Sequence, residues 1–430
     1  MSGLIGVLAL LALLALGIPI GIAMGAVGLV GLVLLLGPEP ALIKSTVVFF
    51  ESVTRFELGV LPLFLLMAHL CFAAGASRDF FNAAAAVVGH RRGGLALATI
   101  AGCAGFGAVS GSSLATAATM GQIGLPEMRR RGYSTAFASG SVAAGGTLGS
   151  LTPPSGALIV FGIIAEQSIG KLFTAAIVPV VTQTLLYMAV IVILCRIRPS
   201  IAPPSPRIAW SERGKALIRV LDLAALVALV LVGIAKGWFT PTEAASIGAA
   251  LALVLCALRR RLTWNSFCDA LERTLRTSGM LYVVIIGALI FAAFMSFTGL
   301  ADQIASLVRH MNTGPTATLF AIALLLLLLG SVLDGLALML LTAPILLPIA
   351  TALGISPIWF GIFFVRTMEI GFVHPPIGIN LYVMQSIAPD IPIGRVFKGV
   401  LPFLAADFLH LALLIAVPGM ALALPQWLDR

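Results

Sequence analysis

The chain has 430 residues, 60% hydrophobic and only 10% charged, with 26 Lys and Arg against 17 Asp and Glu. A mean hydropathy of +1.10 excludes an ordinary soluble domain, in which about a quarter of residues are charged, and marks an all-α polytopic membrane protein. The net charge of +9 then reports topology rather than nucleic-acid binding, because Lys and Arg of membrane proteins collect on the cytoplasmic side.

The first apolar stretch, Leu4 to Leu36, follows no basic segment and is longer than a secretory leader. It is read as retained membrane structure. Stretches near the ~20 residues needed to span are predicted at 4–20, 22–36, 59–76, 133–165, 172–196, 220–238, 242–258, 279–300, 357–386 and 399–424. Segments 40–57 and 262–277 are amphipathic and too polar to span, so they are placed along the membrane surface as arms. Thr240-Pro241-Thr242-Glu243 reads as a helix start, with a cap, a proline in the first turn and Glu at the third position.

Two further stretches, 94–128 and 314–353, are long enough to enter and return, and each has a polar interruption. In the first it is Ser110-Gly111-Ser112-Ser113, in the second Asp334-Gly335. Roughly forty residues after each comes a Pro-Pro inside an apolar run, Thr152-Pro153-Pro154-Ser155 and then His374-Pro375-Pro376-Ile377-Gly378-Ile379-Asn380. Ile169-Gly170-Lys171-Leu172-Phe173 recurs 224 residues later as Ile393-Gly394-Arg395-Val396-Phe397, and Pro179 has its counterpart in Pro402. The pattern predicts two repeats. The first covers 1–196, with arm and scaffold helices to 58, hairpin 94–128 and broken helix 133–165. The second covers 220–430, with scaffold 220–277, hairpin 314–353 and broken helix 357–386. The proline-rich stretch 197–219 reads as a cytoplasmic linker between them.

Arg91 and Arg92 before the first hairpin and Arg129, Arg130 and Arg131 after it place both its ends in the cytoplasm, so it is read as re-entrant. Alternating every loop gives 19 basic residues inside and 6 outside, the latter including Arg309 and Arg430, with Arg366 in a membrane segment. Both termini are then periplasmic, and the repeats are inverted. Paired, interrupted segments of this kind mark the binding site of secondary transporters.

The chemistry is read from the breaks. Serine hydroxyls and freed carbonyls around Ser110, Gly111, Ser112, Ser113, Thr152, Pro153, Pro154 and Ser155 suit a hard cation such as Na⁺. Prolines strand carbonyls one turn earlier. Each membrane serine also has a bland reading, a bond to its own backbone. A carboxylate at Asp334 is costly in a bilayer unless it has a partner or a task, or unless the tip reaches outer water. Asn380 can donate and accept, so it suits an ion or a substrate. Arg366 and Glu369 share one helix face. They read as a self-neutralising pair or, with Arg366 turned to the cavity, as the grip on a substrate carboxylate. His69, Asp407 and His410 read as satisfied interior groups. The five cysteines show no metal or disulfide spacing, and no GxxxxGK[ST] is present to hold nucleotide. No cofactor other than Na⁺ as coupling ion is expected.

Across nearly the whole chain the sequence resembles the large, DctM-type membrane subunit of tripartite ATP-independent periplasmic (TRAP) transporters. The resemblance rests on Leu61-Pro62-Leu63-Phe64, Gly89-His90-Arg91-Arg92-Gly93-Gly94, the Ser110–Ser113 tip, Arg130-Arg131-Gly132-Tyr133, Pro153-Pro154-Ser155, Thr240–Glu243, Pro344-Ile345-Leu346-Leu347-Pro348 and Pro375–Asn380. It implies a bacterial inner-membrane symporter in which a mobile transport domain rides as an elevator on a scaffold. It also implies Na⁺ coupling, a small organic anion delivered by a periplasmic binding protein, and a separate four-helix membrane subunit. By resemblance, the ion sites are the Ser110–Ser113 tip with Thr152–Ser155, and Asp334 and Gly335 with His374, Pro375, Pro376 and Gly378. Arg366 and Glu369 depart from the family's usual uncharged residues, so no role carries to them. Other readings are a stand-alone divalent-anion/Na⁺ symporter and, from a different class, an intramembrane serine hydrolase pairing Ser110 with His374.

Overall fold

A computed structural model describes residues 2–428 except 208, 301, 302, 305 and 307–313. Arg309 and Arg430 lie outside the described residues. Those described form nineteen α-helices and no strand, as lipid demands of a chain that must satisfy its backbone internally. Seven helices are long and apolar enough to cross a membrane, and a bent pair adds an eighth.

The first half runs α1 (Ser2–Ala15), α2 (Ile20–Leu36), α3 (Pro38–Thr54), α4 (Val60–Ala73), α5 (Ala76–Val88), α6 (Gly94–Ser110), α7 (Ser113–Arg130), α8 (Thr135–Leu151), α9 (Gly156–Ile164) and α10 (Ile169–Ile197). The second half runs α11 (Trp210–Ala235), α12 (Pro241–Leu258), α13 (Trp264–Thr298), α14 (Pro315–Gly330), α15 (Gly335–Ala352), α16 (Pro357–Val373), α17 (Ile379–Ile387), α18 (Ile393–Ala416) and α19 (Gly419–Leu428). Each half therefore holds a helical hairpin (α6–α7, α14–α15), a helix broken at a cis Pro-Pro (α8–α9, α16–α17) and a long helix with one internal proline (α10, α18).

Two expectations change. Residues 210–219, read as linker, are the first turns of α11. Charge keeps them out of lipid, but Glu212, Lys215, Ala216 and Leu217 are good helix formers. Segment 262–277 is not a separate arm, because it continues into the next span as the 35-residue α13. No proline interrupts it, whereas in the first half the corresponding join, Arg55 to Gly59, leaves the α-helix for a 3₁₀ turn just before Pro62. Thr240 and Glu243 form the expected capping box.

The halves interlock. α2 packs along α13 and α4 along α12, while α7 meets α17 and α9 meets α15. Small residues permit the closest approach, as membrane helix pairs require. A methyl on Gly287 would sit 2.0 Å from the Gly21 carbonyl oxygen.

Contacts also sort the loops into two faces. On one, Arg259 reaches Asp79 at 2.6 Å, Asp222 at 2.6 Å and the Ala74 carbonyl at 3.1 Å. There the linker lies against both ends of the first hairpin, with Gly93 N–H donating to Ala202 O and Ser134 N–H to Ile201 O. Arg129 bridges to Asp390 at 2.5 Å on the same face. Its guanidinium holds the Asp390 carboxyl below the usual carboxylate range. On the opposite face Arg55, Glu57, Glu166, Gln167 and Pro241 come together. α8–α9 thus runs from the first face to the second, and the chain after α17 reaches the first face at Asp390.

Candidate functional site

The first hairpin turns at Gly111, whose φ of +60° is left-handed and is cheap only for glycine. Space demands glycine there too, since a Cβ would lie 2.8 Å from the Pro154 carbonyl oxygen. The tip is stitched to the break behind it. Gly156 N–H donates to Gly111 O at 3.3 Å, and Ser113 N–H donates to Ser150 Oγ at 3.1 Å. Ser112 Oγ caps α7 by accepting from Ala115 N–H. Ser110 Oγ and Thr116 Oγ1 share a hydrogen bond of 2.7 Å.

At the break, Pro153 and Pro154 offer no N–H to Gly149 O and Ser150 O. Ser155 repairs part of this deficit, because its hydroxyl donates to Ser150 O and accepts from Leu158 N–H to cap α9. Thr152 Oγ1 donates to its own backbone, Leu148 O, at 2.6 Å. Gly149 is bare for a reason: a Cβ there would lie 2.5 Å from Ser112 O and 2.4 Å from Thr116 Oγ1. The end of α8 therefore presses on the hairpin tip itself.

The second half repeats the construction with different side chains. Asp334 caps α15, its carboxylate accepting from Leu336 N–H at 3.2 Å, where Ser112 caps α7. Gly371 stands four residues before Pro375 as Gly149 stands four before Pro153. A Cβ on Gly371 would meet the Gly330 carbonyl carbon at 2.9 Å, so α16 presses on the end of α14. Gly378 N–H donates to His374 O at 2.9 Å. This pair of glycines was readable in the sequence, as a residue that must be small one turn before each Pro-Pro.

Both tips open on one cavity of about 170 Å³, lined by Ser110, Gly111, Ser112, Ser113, Ser150, Pro154, Asp334 and Gly335 among apolar side chains such as Phe64, Met368 and Phe372. Asp334 is exposed toward it. Thr152, Pro153 and Ser155 lie directly behind, buried. Asn380 joins the halves, its Nδ2 donating to Ser113 Oγ at 2.9 Å and to Ala143 O at 3.3 Å, with Oδ1 left unpartnered. His374, Pro375, Pro376 and Gly378 do not line the cavity, and Pro376 is exposed. Ser110 and His374 are not a pair: the serine is engaged with Thr116.

Arg366 is not in the cavity, which corrects the expectation that it grips substrate. It is fully buried behind the site. Its guanidinium donates to Glu369 Oε2 at 3.3 Å, to Asp407 Oδ1, and through Nε to His410 Nδ1 at 3.1 Å. Asp407 and His410 come from α18, beyond the reach of sequence spacing. Asp407 Oδ1 also accepts from Gln183 Nε2 at 2.7 Å and Tyr187 OH at 2.5 Å. His410 Nε2 meets Thr182 Oγ1 at 2.9 Å, and His69 Nδ1 meets Thr274 Oγ1 at 2.9 Å. These contacts agree with the interior reading of His69 and His410, while Asp407 is interior but only partly satisfied, its Oδ2 being buried without a partner.

Residues 7–420 match the family described as the tripartite ATP-independent periplasmic transporter, DctM component. The C4-dicarboxylate TRAP transporter large permease protein of Pseudomonas aeruginosa is 36% identical over 94% of this chain and 94% of its own. The sialic acid TRAP transporter large permease protein of Vibrio cholerae is 33% identical over 97% and 96%. In structure, the Alcanivorax borkumensis YdaH transporter aligns with a TM-score of 0.63 over 99% of both chains at 17% identity, a likeness of fold.

Proposed function

Given that the chain belongs to the DctM family of TRAP transporters and is a large permease subunit of that class, we propose that it carries a small organic anion inward with Na⁺, by alternating access of inverted halves. The observation that carries this reading is the meeting of two polar hairpin tips, one from each half, at a single cavity beside proline-broken helices. Hydroxyls of Ser110, Ser112 and Ser113, the carbonyls released by Pro153 and Pro154, and the Asp334 carboxylate offer the oxygen ligands a hard cation takes. Asn380 then sits where it senses both halves.

The anion is a carboxylate, in keeping with the relatives named for C4-dicarboxylates and sialic acid. At about 170 Å³ the cavity is below the ~300–1,000 Å³ usual for organic-ligand sites, which favours the smaller acids. A scaffold built on α2–α13 and α4–α12 supports the hairpins and broken helices as they move together. A periplasmic binding protein delivers the substrate, and a small four-helix membrane subunit completes the complex. The basic face, with Arg91, Arg92 and Arg129–Arg131, faces the cytoplasm of a bacterial inner membrane, leaving both termini periplasmic. Each net charge crossing 100 mV supplies about 2.3 kcal/mol, so two are adequate for accumulation over several decades.

The test is uptake of labelled succinate and sialic acid into proteoliposomes holding this chain, its small subunit and its binding protein. Uptake of one of them is expected only with inward Na⁺ and the binding protein present. Equal uptake in Na⁺-free buffer under a proton gradient would reject the coupling.

A further inference from the structure

Behind the cavity, the Arg366 cluster draws on four helices: Thr147 from α8, Thr182, Gln183 and Tyr187 from α10, Arg366 and Glu369 from α16, and Asp407 and His410 from α18. Of the other helices packed on α16, α9, α14, α15 and α19 bring no titratable side chain, and Tyr382 of α17 is exposed and donates to Pro376 O. The charges do not balance. His410 accepts from Arg366 at Nδ1 and is therefore a neutral imidazole, so one guanidinium faces two carboxyls, all fully buried. An uncompensated charge in such a place is strongly unfavourable, and a proton removes it.

Geometry says which carboxyl carries that proton. Asp407 Oδ1 accepts from Arg366, Gln183 and Tyr187 together, and several donors on one oxygen favour the ionised form. Glu369 receives the longer bond from Arg366 at 3.3 Å and a backbone hydrogen bond from Leu151. Each carboxyl keeps one buried oxygen without a partner, Glu369 Oε1 and Asp407 Oδ2, so the three short donors on Asp407 Oδ1 are what separates them. We propose that this cluster is a proton-binding site, distinct from the cavity, with the proton resident on Glu369. Its position gives the proton a consequence. Glu369 lies against the backbone of Leu151, the last residue of α8 before the first break, and five residues before His374 at the second. Release of the proton puts a negative charge between the two broken helices that shape the cavity, so pH reaches the transport site through Glu369.

The experiment is infrared spectroscopy of the full-length protein in lipid at neutral pH, reading the carbonyl stretch of protonated carboxyl groups. The wild type should show this band, Glu369→Gln should lose it, and Glu369→Asp, which keeps a carboxyl, should shift it. A wild type with no protonated-carboxyl band, or a band retained at full intensity in Glu369→Gln, overturns the proposal. If the glutamine variant does not fold, the shift of the band in Glu369→Asp decides, and an unshifted band there overturns the proposal. None of these readings depends on Na⁺ at the hairpin tips, so failure of the sodium assignment leaves the test intact.

Discussion

Gly149 is the position where the account is most exposed to a single methyl group. A Cβ there would stand 2.5 Å from the Ser112 carbonyl oxygen and 2.4 Å from Thr116 Oγ1, whereas ordinary contact begins at 3.4 Å. The Thr116 hydroxyl can rotate away, but the Ser112 carbonyl is backbone at the hairpin tip and must retract by roughly 0.9 Å. Overpacking of this kind costs about 1–3 kcal/mol. The same tip carries the Ser110, Ser112 and Ser113 hydroxyls proposed as sodium ligands, so the retraction falls on ion affinity, and 1.4 kcal/mol is a factor of ten. Gly156 supplies the control, because a Cβ there has nothing nearer than Gly111 O at 3.7 Å. The assay is thermal unfolding of the purified chain in nanodiscs, titrated with NaCl against choline chloride, since a ligand of the folded state stabilises by RT ln(1 + [L]/Kd). Gly149→Ala should raise the half-saturating Na⁺ concentration about tenfold, and Gly156→Ala should leave it within about twofold. Identical sodium titrations for the two variants would refute the reasoning that the α8 end sets the tip carbonyl.

Other substitutions probe the remaining joints. Asn380→Leu and Ser113→Ala, measured singly and together by denaturant unfolding, should show a coupling of about 1 kcal/mol, the net worth of one hydrogen bond; strict additivity would mean the 2.9 Å contact carries nothing. Arg366→Met leaves the buried Asp407 carboxylate without its cation and should destabilise by about 3–5 kcal/mol, with much of the loss recovered in Arg366→Met/Asp407→Leu/Glu369→Gln. Failure of the triple variant to recover any stability would argue against charge as the cause. For Asp390, a carboxyl held below its ordinary value by Arg129 stabilises above that value and loses its effect as pH falls through the lowered one. Asp390→Asn should therefore lower the melting temperature at neutral pH, with the difference closing only below about pH 3.8, the ordinary value. A difference that closes near pH 6 would point to another group.

The sequence disclosed what depends on local chemistry. Proline removes a donor wherever it stands, so Pro153-Pro154 and Pro375-Pro376 marked the breaks before any packing was known. Hydroxyls and a carboxylate interrupting leucine-rich runs marked the tips. Arg366 shows where such reading ends. Its neighbour Glu369 is visible at helical spacing, but Asp407 and His410, 41 and 44 residues further on, are brought to it only by the packing of α18. The Asn380–Ser113 bond, spanning 267 residues, is of the same kind. Continuity of α13 is hidden because a polar stretch beside an apolar one resembles two elements, although Gly279 at the join only weakens a helix and does not stop it. Gly149 and Gly371 carried a signal that spacing alone could have given, since each precedes its first proline by one turn.

The most direct measurement is the sidedness of the two hairpins. In a Cys268→Ser background, where the other native cysteines are buried, Arg92→Cys marks the start of the first hairpin and Ala352→Cys the end of the second, both at exposed positions. A membrane-impermeant maleimide applied to right-side-out cells should label position 352 and spare position 92, and inverted vesicles should give the reverse. Labelling of both positions from one side would contradict hairpins that enter from opposite faces to meet at one site.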